Sequence, residues 1–477
     1  MKKFLTLAVI IIAIGFTLHV IPLLTNNIFF TVDQGRDAVY VREVIKNKHI
    51  FLKGPETSIR GIFTGPLWYY FLAVGYFLTN GHPLGGVILM IILNLFTIAI
   101  VIWQVDKYVN RLTALTIGIL LQSYWPYFET GLYSFNPFPL VFLSFALIFL
   151  LIDKKYLYGI IPIFLALNAN LAGAGVLTIF YLSAFLLANK GKLGLKNIAF
   201  AGVFIGTNYK YIFSEFIKII GGSIVPQTVY LGAVVYLAVT ILFVKQKNKN
   251  KFINEFVRLT YLLLIISFLF FGSNQGYRAW HTVYLAPILL VAVILMISQF
   301  PKKIMIILIS VIFLSQAHYF TNRYASYLKS SSDPGLLYNQ IAVIDHIYSE
   351  ANNQGFAVYN YVDTFYDYPY QYLFWWYGLR HYQYLPCEYA NYPLSHKELY
   401  VPGNTSYTEP KRACDRLKFL IIQSTTNGEE NERWIDKFRE YHTLISTKIV
   451  GDIAIEKYEV KPDSPSDLCL WWGQCGS

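Results

Sequence analysis

The chain has 477 residues, of which 55% are hydrophobic, 17% are aromatic and only 14% are charged. A soluble domain is far less apolar, so most of this chain is expected to lie in lipid. The net charge of +11 comes from residues 1–320, which hold 25 Lys and Arg against 9 Asp and Glu. No basic patch with interleaved aromatic residues accompanies that charge, and the composition therefore argues against a nucleic-acid partner.

Apolar runs recur from Phe4 to Phe320, and about 20 helical residues are needed to cross the hydrocarbon core. Because lipid offers the backbone no hydrogen-bond partners, these crossings are expected to be helical. Short loops rich in lysine and arginine occur at every second turn of the chain, which marks the cytoplasmic side. These loops contain Lys2 and Lys3, Lys107 and Arg111, Lys154 and Lys155, Lys190 to Lys196, Lys245 to Arg258, and Lys302 and Lys303.

This pattern predicts an all-α multi-span membrane protein with about eleven transmembrane helices and a cytoplasmic N-terminus. The first apolar run has no small-residue cleavage pattern and is interpreted as a retained helix. The spans are predicted near residues 4–24, 83–104, 112–126, 138–152, 156–172, 174–189, 198–213, 227–244, 257–272, 283–299 and 304–320.

The first outer loop is predicted to extend over residues 25–82. Its stretch 62–79 is nearly long enough to cross, but counting it as a span would put the lysine-rich loops on the wrong side. It is interpreted as a helix in the outer interface, where aromatic side chains suit the headgroup level. Those side chains are Trp68, Tyr69, Tyr70 and Tyr76.

Residues 1–320 are thus predicted to form the transmembrane domain, and residues 321–477 a soluble extracytoplasmic domain. Strand-like runs at 355–362, 418–425 and 451–460, with helix-like runs at 335–353 and 429–441, indicate a small α/β structure. The four cysteines, Cys387, Cys414, Cys469 and Cys475, all lie in this region. Outside the cell they are able to form disulfides, Cys469 with Cys475 being the most plausible pair, and free thiols are the alternative.

The segment TVDQGRDAVYVREVIKNKHI begins at Thr31, just beyond the first span. Charged groups beside a membrane are costly unless they line a wet, functional cavity, so Asp33, Arg36 and Asp37 are the leading site candidates. On a short helix the two aspartates lie four residues apart on one face and repel each other unless a cation separates them. Arg36 or a metal ion is the expected cation, and a helix N-cap is the structural alternative for Asp33.

The run from Asp33 through Glu43, followed by GIFTGPLWYYFLA at 61–73, resembles the first outer loop of GT-C membrane glycosyltransferases. These include protein O-mannosyltransferases, the aminoarabinose transferases that modify lipid A, and rhizobial lipopolysaccharide sugar transferases. Asp33 matches the aspartate of that loop, Arg36 and Ala38 match the positions that follow it, and Pro66 to Trp68 match a Pro-Leu-aromatic segment. Gln34 departs from the pattern, because many relatives carry Glu there, and Asp37 is the candidate to supply that second carboxylate.

The resemblance implies that one sugar moves from a polyprenyl-monophosphate donor to a hydroxyl of a lipid, glycan or protein acceptor on the outer face. Asp33 is predicted to act as general base, with Asp37 as the second acidic residue. Cations from other outer loops are needed for the leaving phosphate. The candidates are Arg278, His281, Lys210 and Arg60.

Two further outer candidates, Glu129 and Asn136, lie in an aromatic and proline-rich loop beginning at Tyr124. A proline-stiffened interfacial turn is the structural interpretation of that loop. The aromatic run 359–385 suits either stacking on sugars or docking on the membrane. No cofactor is predicted with certainty, and a divalent metal remains possible.

Two alternatives to a transferase are considered. A polymerase or ligase with a diphosphate-linked donor is expected to carry several arginines in large outer loops. A non-enzymatic lipid or glycan transporter is expected to have broken helices near the midplane and weak internal repeats. The favoured interpretation is a multi-pass plasma-membrane enzyme whose partners are the lipid-linked donor, the acceptor and membrane lipids.

Overall fold

The computed structural model is mostly helical and carries one small sheet near the C-terminus. It describes residues 2–57, 59, 61–188, 209–246, 250–272, 277–329, 331–361, 367–387, 389, 412–413, 416–423, 435–436 and 438–462. The chain forms two compact units. The first comprises Met1–Ile21, Phe51–Phe71 and Gly86–Tyr327, and the second comprises Pro22–Ile50, Leu72–Gly85 and Leu328–Ser477.

Six helices among the described residues are long and apolar enough to cross a membrane. Each has at least 18 residues, close to the length that the hydrocarbon core requires. They are Lys3–Leu24, Leu84–Tyr108, Leu171–Ala188, Lys251–Gly272, Ala279–Ile297 and Lys302–Leu328. These helices make the protein a multi-span membrane protein, as the composition predicts.

Four further apolar helices have 10 to 17 residues, namely Leu67–Leu78, Pro139–Ile152, Tyr156–Ala169 and Val229–Val244. Shorter or more polar helices of the first unit are Arg111–Ser123, Trp125–Glu129 and Tyr209–Gly222. The predicted span 112–126 is divided, because Pro126 starts a new short helix after Ser123. The predicted span 198–213 lies mostly outside the described residues, and the number of eleven spans is not confirmed.

The helix Leu285–Ile297 lies at the centre of the first unit's core. Every residue from Pro287 to Ile297 is buried, which is typical of a helix that is apolar all round. Helices Lys302–Leu328 and Lys3–Leu24 instead expose many apolar side chains, as expected for surfaces that face lipid.

The helix that the sequence predicts over 62–79 is observed as Leu67–Leu78. Trp68, Tyr69 and Tyr76 are at most 3% exposed. Three of the four aromatic side chains expected at the headgroup level are therefore packed inside the protein. The exposed side of this helix carries aliphatic residues and Phe77 instead.

The C-terminal sheet has four strands in the order β1-β2-β4-β3. Strands β1, Ala357–Tyr361, and β2, Leu417–Gln423, are parallel, whereas β4, Ile453–Val460, is antiparallel to both β2 and β3, His442–Val450. The helix Leu337–Ala351 precedes β1. The three predicted strands are present, and β3 is a fourth that the sequence analysis missed.

Other predictions for the C-terminal region are only partly visible. The predicted helix 429–441 lies mostly outside the described residues. Cys387 is disulfide-bonded, and Cys414, Cys469 and Cys475 lie outside the described residues. The second unit also contains the helices Tyr368–Leu373 and Leu379–Tyr382, joined by a π-helical turn, Phe374–Gly378.

Candidate functional site

The acidic helix, Val32–Asn47, carries the strongest sequence candidates and belongs to the second unit. Arg36 donates from Nη1 to Asp33 Oδ1 at 2.8 Å, and from Nε and Nη2 to Asp37 Oδ1 at 2.9 and 2.8 Å. The predicted separation of the two aspartates by Arg36 is therefore present. The side chain of Asp33 is 37% exposed and that of Asp37 only 2%. Of the two carboxylates, Asp33 is the one that a substrate is able to reach.

The start of this helix explains the glutamine that departs from the family pattern. Thr31 is the N-cap residue, and its backbone N–H donates to Gln34 Oε1 at 3.0 Å. Gln34 thus satisfies a backbone donor at the helix end, a role that Glu also fills. Asp33 lies in the first turn and is not the N-cap, so the structural alternative considered for it does not hold. Its negative charge there is stabilised by the helix dipole.

A second charged pair, Arg42 and Glu43, lies further along the same helix. Both residues are at most 3% exposed, and Arg42 Nη2 donates to Glu43 Oε1 at 3.2 Å. Asn47 Nδ2 donates to Glu43 Oε2 at 2.7 Å, and the Arg42 guanidinium lies 5.5 Å from the ring centroid of Trp375. Removal of one partner from such a buried pair is strongly destabilising. This pair was not among the predicted site residues, although adjacent opposite charges in a partly apolar helix indicate such a pair.

The turn after Leu67–Leu78 contains a half-buried histidine of the second unit. The rings of His82 and Trp376 meet edge to face with centroids 4.5 Å apart. Burial, and to a smaller extent the charge of Arg380, lowers the pKa of His82 from 6.5 to about 4. His82 is therefore neutral near pH 7 in the folded protein.

Acidification is expected to destabilise this turn through His82. The pKa of His82 is lower in the folded state than the unfolded value of 6.5. Neutral His82 therefore contributes fully to the free energy of unfolding above pH 6.5, and this contribution is lost as the pH falls towards 4. We expect a loss of about 1–2 kcal/mol, discounted for partial exposure. Thermal unfolding followed by tryptophan fluorescence between pH 7 and 4.5 measures it. Between these pH values the Tm of the wild type should fall further than that of His82→Gln. Equal falls in Tm would contradict the role of His82.

In the first unit, Arg278 directly precedes a short 3-10 helix, Ala279–Thr282, and His281 lies within it. The Arg278 backbone N–H donates to His281 Nδ1 at 3.3 Å, which assigns the ring proton to Nε2. The His281 ring stacks on Phe271 with centroids 5.6 Å apart, and the Arg278 side chain is exposed. The two predicted phosphate-binding residues thus lie within one turn, with the arginine reachable from solvent.

The loop with Glu129 and Asn136 also belongs to the first unit. Asn136 Nδ2 donates to the carbonyl of Ala169 at 2.8 Å, at the end of a helix whose Asn168 Oδ1 accepts from the backbone N–H of Leu67 at 3.2 Å. Asn136 thus stabilises a turn through this hydrogen bond, as expected if the loop is a proline-stiffened interfacial turn. Surrounding protein raises the pKa of the Glu129 carboxyl, Arg323 offsets part of that rise, and part of the side chain remains exposed.

The structure describes the other two candidate cations, Arg60 and Lys210, only in part. Arg60 lies outside the described residues, and the backbone of Lys210 lies in the helix Tyr209–Gly222. Within the described residues, no group of three or more His, Cys, Asp or Glu side chains is arranged to hold a metal ion.

Comparison with known proteins gives a result at the level of the fold. No protein-family model matches the chain, and no curated protein sequence matches it. A crystal structure of ArnT from Cupriavidus metallidurans bound to undecaprenyl phosphate superimposes with a TM-score of 0.55. The match covers 94% of this chain and 97% of that one at 10% sequence identity. The chain therefore has the fold of that ArnT structure, in agreement with the fold that the resemblance of its first outer loop implies.

Proposed function

We propose that this protein is a glycosyltransferase that moves one sugar from a polyprenyl-monophosphate donor to an acceptor hydroxyl on the outer face of the membrane. The observation that carries the proposal is the exposed Asp33 carboxylate, held by Arg36 in a chain with the fold of ArnT. The similar ArnT structure contains undecaprenyl phosphate, which supports a lipid-phosphate donor here. The acceptor is a lipid, a glycan or a protein.

Asp33 is our candidate for the general base. Its Oδ1 accepts a hydrogen bond from Arg36, and among the described residues none donates a hydrogen bond to Oδ2. We propose that Oδ2 receives the proton of the acceptor hydroxyl. As that proton leaves, the acceptor oxygen forms a bond to the anomeric carbon. The bond from that carbon to the donor phosphate breaks, and the phosphate departs with the electron pair. Arg36 orients the Asp33 carboxylate through its hydrogen bond to Oδ1, and Asp37 anchors Arg36 from the buried side.

We assign donor-phosphate binding to Arg278 and His281. The exposed guanidinium of Arg278 offers a planar set of donors to phosphate oxygens, and the Nε2 proton of His281 adds another. Lys210 and Arg60 are further candidates for the same phosphate. Glu129 is retained as a candidate carboxylate, and a divalent metal as a possible cofactor.

We further propose a plasma-membrane location with the N-terminus inside and the C-terminal region outside. The recurrent basic loops support this orientation. The disulfide at Cys387 supports it independently, because disulfides persist in oxidising compartments and are rare in the cytosol.

A donor panel tests the function. The protein in membranes is incubated with native envelope extract and radiolabelled polyprenyl-monophosphate sugars, and with diphosphate-linked oligosaccharides in a parallel series. Transfer from one monophosphate donor is the expected result. Transfer only from diphosphate donors would favour the polymerase or ligase alternative. Donor movement across vesicles without sugar transfer would favour the transporter.

Arg278→Ala is expected to raise the KM for the donor by about tenfold to hundredfold, because a charge-assisted hydrogen bond to phosphate is lost. Arg278→Lys should recover part of that affinity, since a point charge remains. The matched control is Arg258→Ala, which removes an exposed arginine paired with Glu255 in the predicted cytoplasmic loop. Initial rates against donor concentration measure all three variants. Equal KM values for the Arg278 and Arg258 variants would refute the phosphate assignment.

A further inference from the structure

The aromatic segment, residues 368–382, contacts the acidic helix Val32–Asn47 and the turn after Leu67–Leu78, all within the second unit. We propose that this segment positions the acidic helix, with Gly35 and Trp375 as the positioning residues. The proposal rests on the proposed function insofar as it concerns the Asp33 carboxylate. It gives the C-terminal region a role in catalysis, which is to position the helix that carries Asp33.

The two backbones approach each other closely at Gly35. A Cβ atom built on Gly35 would lie 2.4 Å from Pro369 N and 2.7 Å from the carbonyl carbon of Tyr368. Only glycine lets the two helices meet at this distance, because real Cβ atoms do not approach backbone so closely. Gly35 lies between Asp33 and Arg36, so this contact fixes the turn that carries the ion pairs.

A second contact holds the far end of the acidic helix. The π-helical turn Phe374–Gly378 presents Trp375, whose ring centroid lies 5.5 Å from the Arg42 guanidinium and 5.7 Å from Lys46 Nζ. Both distances fall within the range of cation–π attraction. Such π-helical turns are rare and occur frequently at functional sites. Trp375 therefore limits rotation of the acidic helix about the Gly35 contact.

The chain entering the acidic helix is held by the C-terminal region as well. Phe30 N donates to the carbonyl of Gly335 at 2.8 Å, and Leu337 N donates to the carbonyl of Ile28 at 2.9 Å. Gln340 Nε2 donates to the carbonyl of Phe30 at 3.1 Å, and Gln340 is 1% exposed. The helix is thus held at its entry, in its first turn and near its end.

The same aromatic segment also holds the turn after Leu67–Leu78. Tyr372 donates to the carbonyl of Gly81 at 2.6 Å, and Trp376 Nε1 donates to the carbonyl of Asn80 at 3.3 Å. Arg380 donates to that same Asn80 carbonyl. Two separate stretches of the first outer loop are therefore joined through one C-terminal segment.

This arrangement gives the many aromatic residues of the segment a role other than stacking on a sugar. A catalytic group must be held within fractions of an ångström, and a displacement of about 1 Å costs roughly a hundredfold in rate. A helix held at three places meets that requirement. A sugar-stacking role predicts a different result, in which loss of Trp375 weakens substrate binding and leaves the helix unchanged.

The test compares Gly35→Ala, Trp375→Leu and Trp375→Phe in the full-length protein in nanodiscs. Hydrogen–deuterium exchange of peptides covering residues 32–47 reports on the helix whether or not the protein is active. Transfer assays give kcat and KM. The matched control is Gly85→Ala, whose Cβ would lie 2.6 Å from the Gly75 backbone and so introduces similar crowding elsewhere in the second unit.

We expect exchange over residues 32–47 to rise about tenfold in Gly35→Ala and Trp375→Leu, with kcat falling about tenfold to a hundredfold and donor KM within threefold of wild type. Trp375→Phe should recover most of the rate because an aromatic face remains. Gly85→Ala should leave exchange over residues 32–47 unchanged.

Unchanged exchange over residues 32–47 in both positioning variants would overturn the proposal, whatever their activity. A raised KM with unchanged exchange would overturn it in favour of sugar stacking. A third outcome would also overturn the proposal: exchange over residues 32–47 rises in the positioning variants, their kcat stays at the wild-type value, and Asp33→Asn is inactive. Positioning of the helix would then not be needed for catalysis. Full activity of Asp33→Asn would instead refute the proposed base, and the exchange data alone would then decide whether the aromatic segment holds the helix.

Discussion

Asp33→Asn is expected to lower sugar transfer by about a hundredfold to ten-thousandfold, the usual contribution of a general base. The amide keeps the size of the side chain and its contact with Arg36, but it cannot accept the acceptor proton. Because Asp33 is 37% exposed, the folded state should be little affected. Single-turnover transfer from a labelled monophosphate donor gives the rate, and donor binding measured separately should remain close to wild type.

Asp37→Asn is the matched control, since it changes the other carboxylate on the same face of the helix. Asp37 is 2% exposed and contacts Arg36 through Oδ1, so its loss should affect stability more than the intrinsic chemical step. An Asp33→Asn protein with full activity would rule out this base, and Asp37 would become the next candidate. Loss of donor binding in Asp33→Asn would point to a binding role instead.

Arg36→Leu is expected to have the largest effect on stability. The substitution removes the guanidinium that bridges Asp33 and Asp37 and leaves the Asp37 carboxylate buried without that partner. Breaking a buried pair in this way costs about 3–5 kcal/mol, and the two aspartates at i and i+4 then repel each other as well. Thermal unfolding in detergent, followed by fluorescence, should show a large fall in Tm together with loss of transfer.

Two comparisons separate charge from packing. Arg36→Lys keeps a positive charge but not the planar group that contacts both carboxylates, so an intermediate Tm is expected. Arg36→Leu combined with Asp37→Asn also removes the buried carboxylate that has lost Arg36, and it should recover much of the lost Tm. If the double variant is no more stable than Arg36→Leu alone, loss of the Arg36–Asp37 ion pair is not the cause of the lower Tm.

Local sequence patterns were sufficient for the features that depend on composition and short range. The apolar runs predicted a multi-span helical protein, and the DQGRDA segment predicted both a helix and an arginine between two aspartates. Each follows from lipid excluding unpaired backbone groups or from the geometry of one helical turn. The resemblance of the same segment to GT-C loops predicted the fold that the comparison with ArnT supports.

Tertiary structure decided what depends on residues far apart in the chain. It distinguished the exposed Asp33 from the buried Asp37, since burial of residues on one helix is set by what packs against it. It also brought Pro369 against Gly35 and Trp375 against Arg42, contacts that no local pattern indicates across more than 300 residues. Sequence alone determined which groups the acidic helix carries, and only tertiary packing decided which of them faces solvent and how firmly the helix is held.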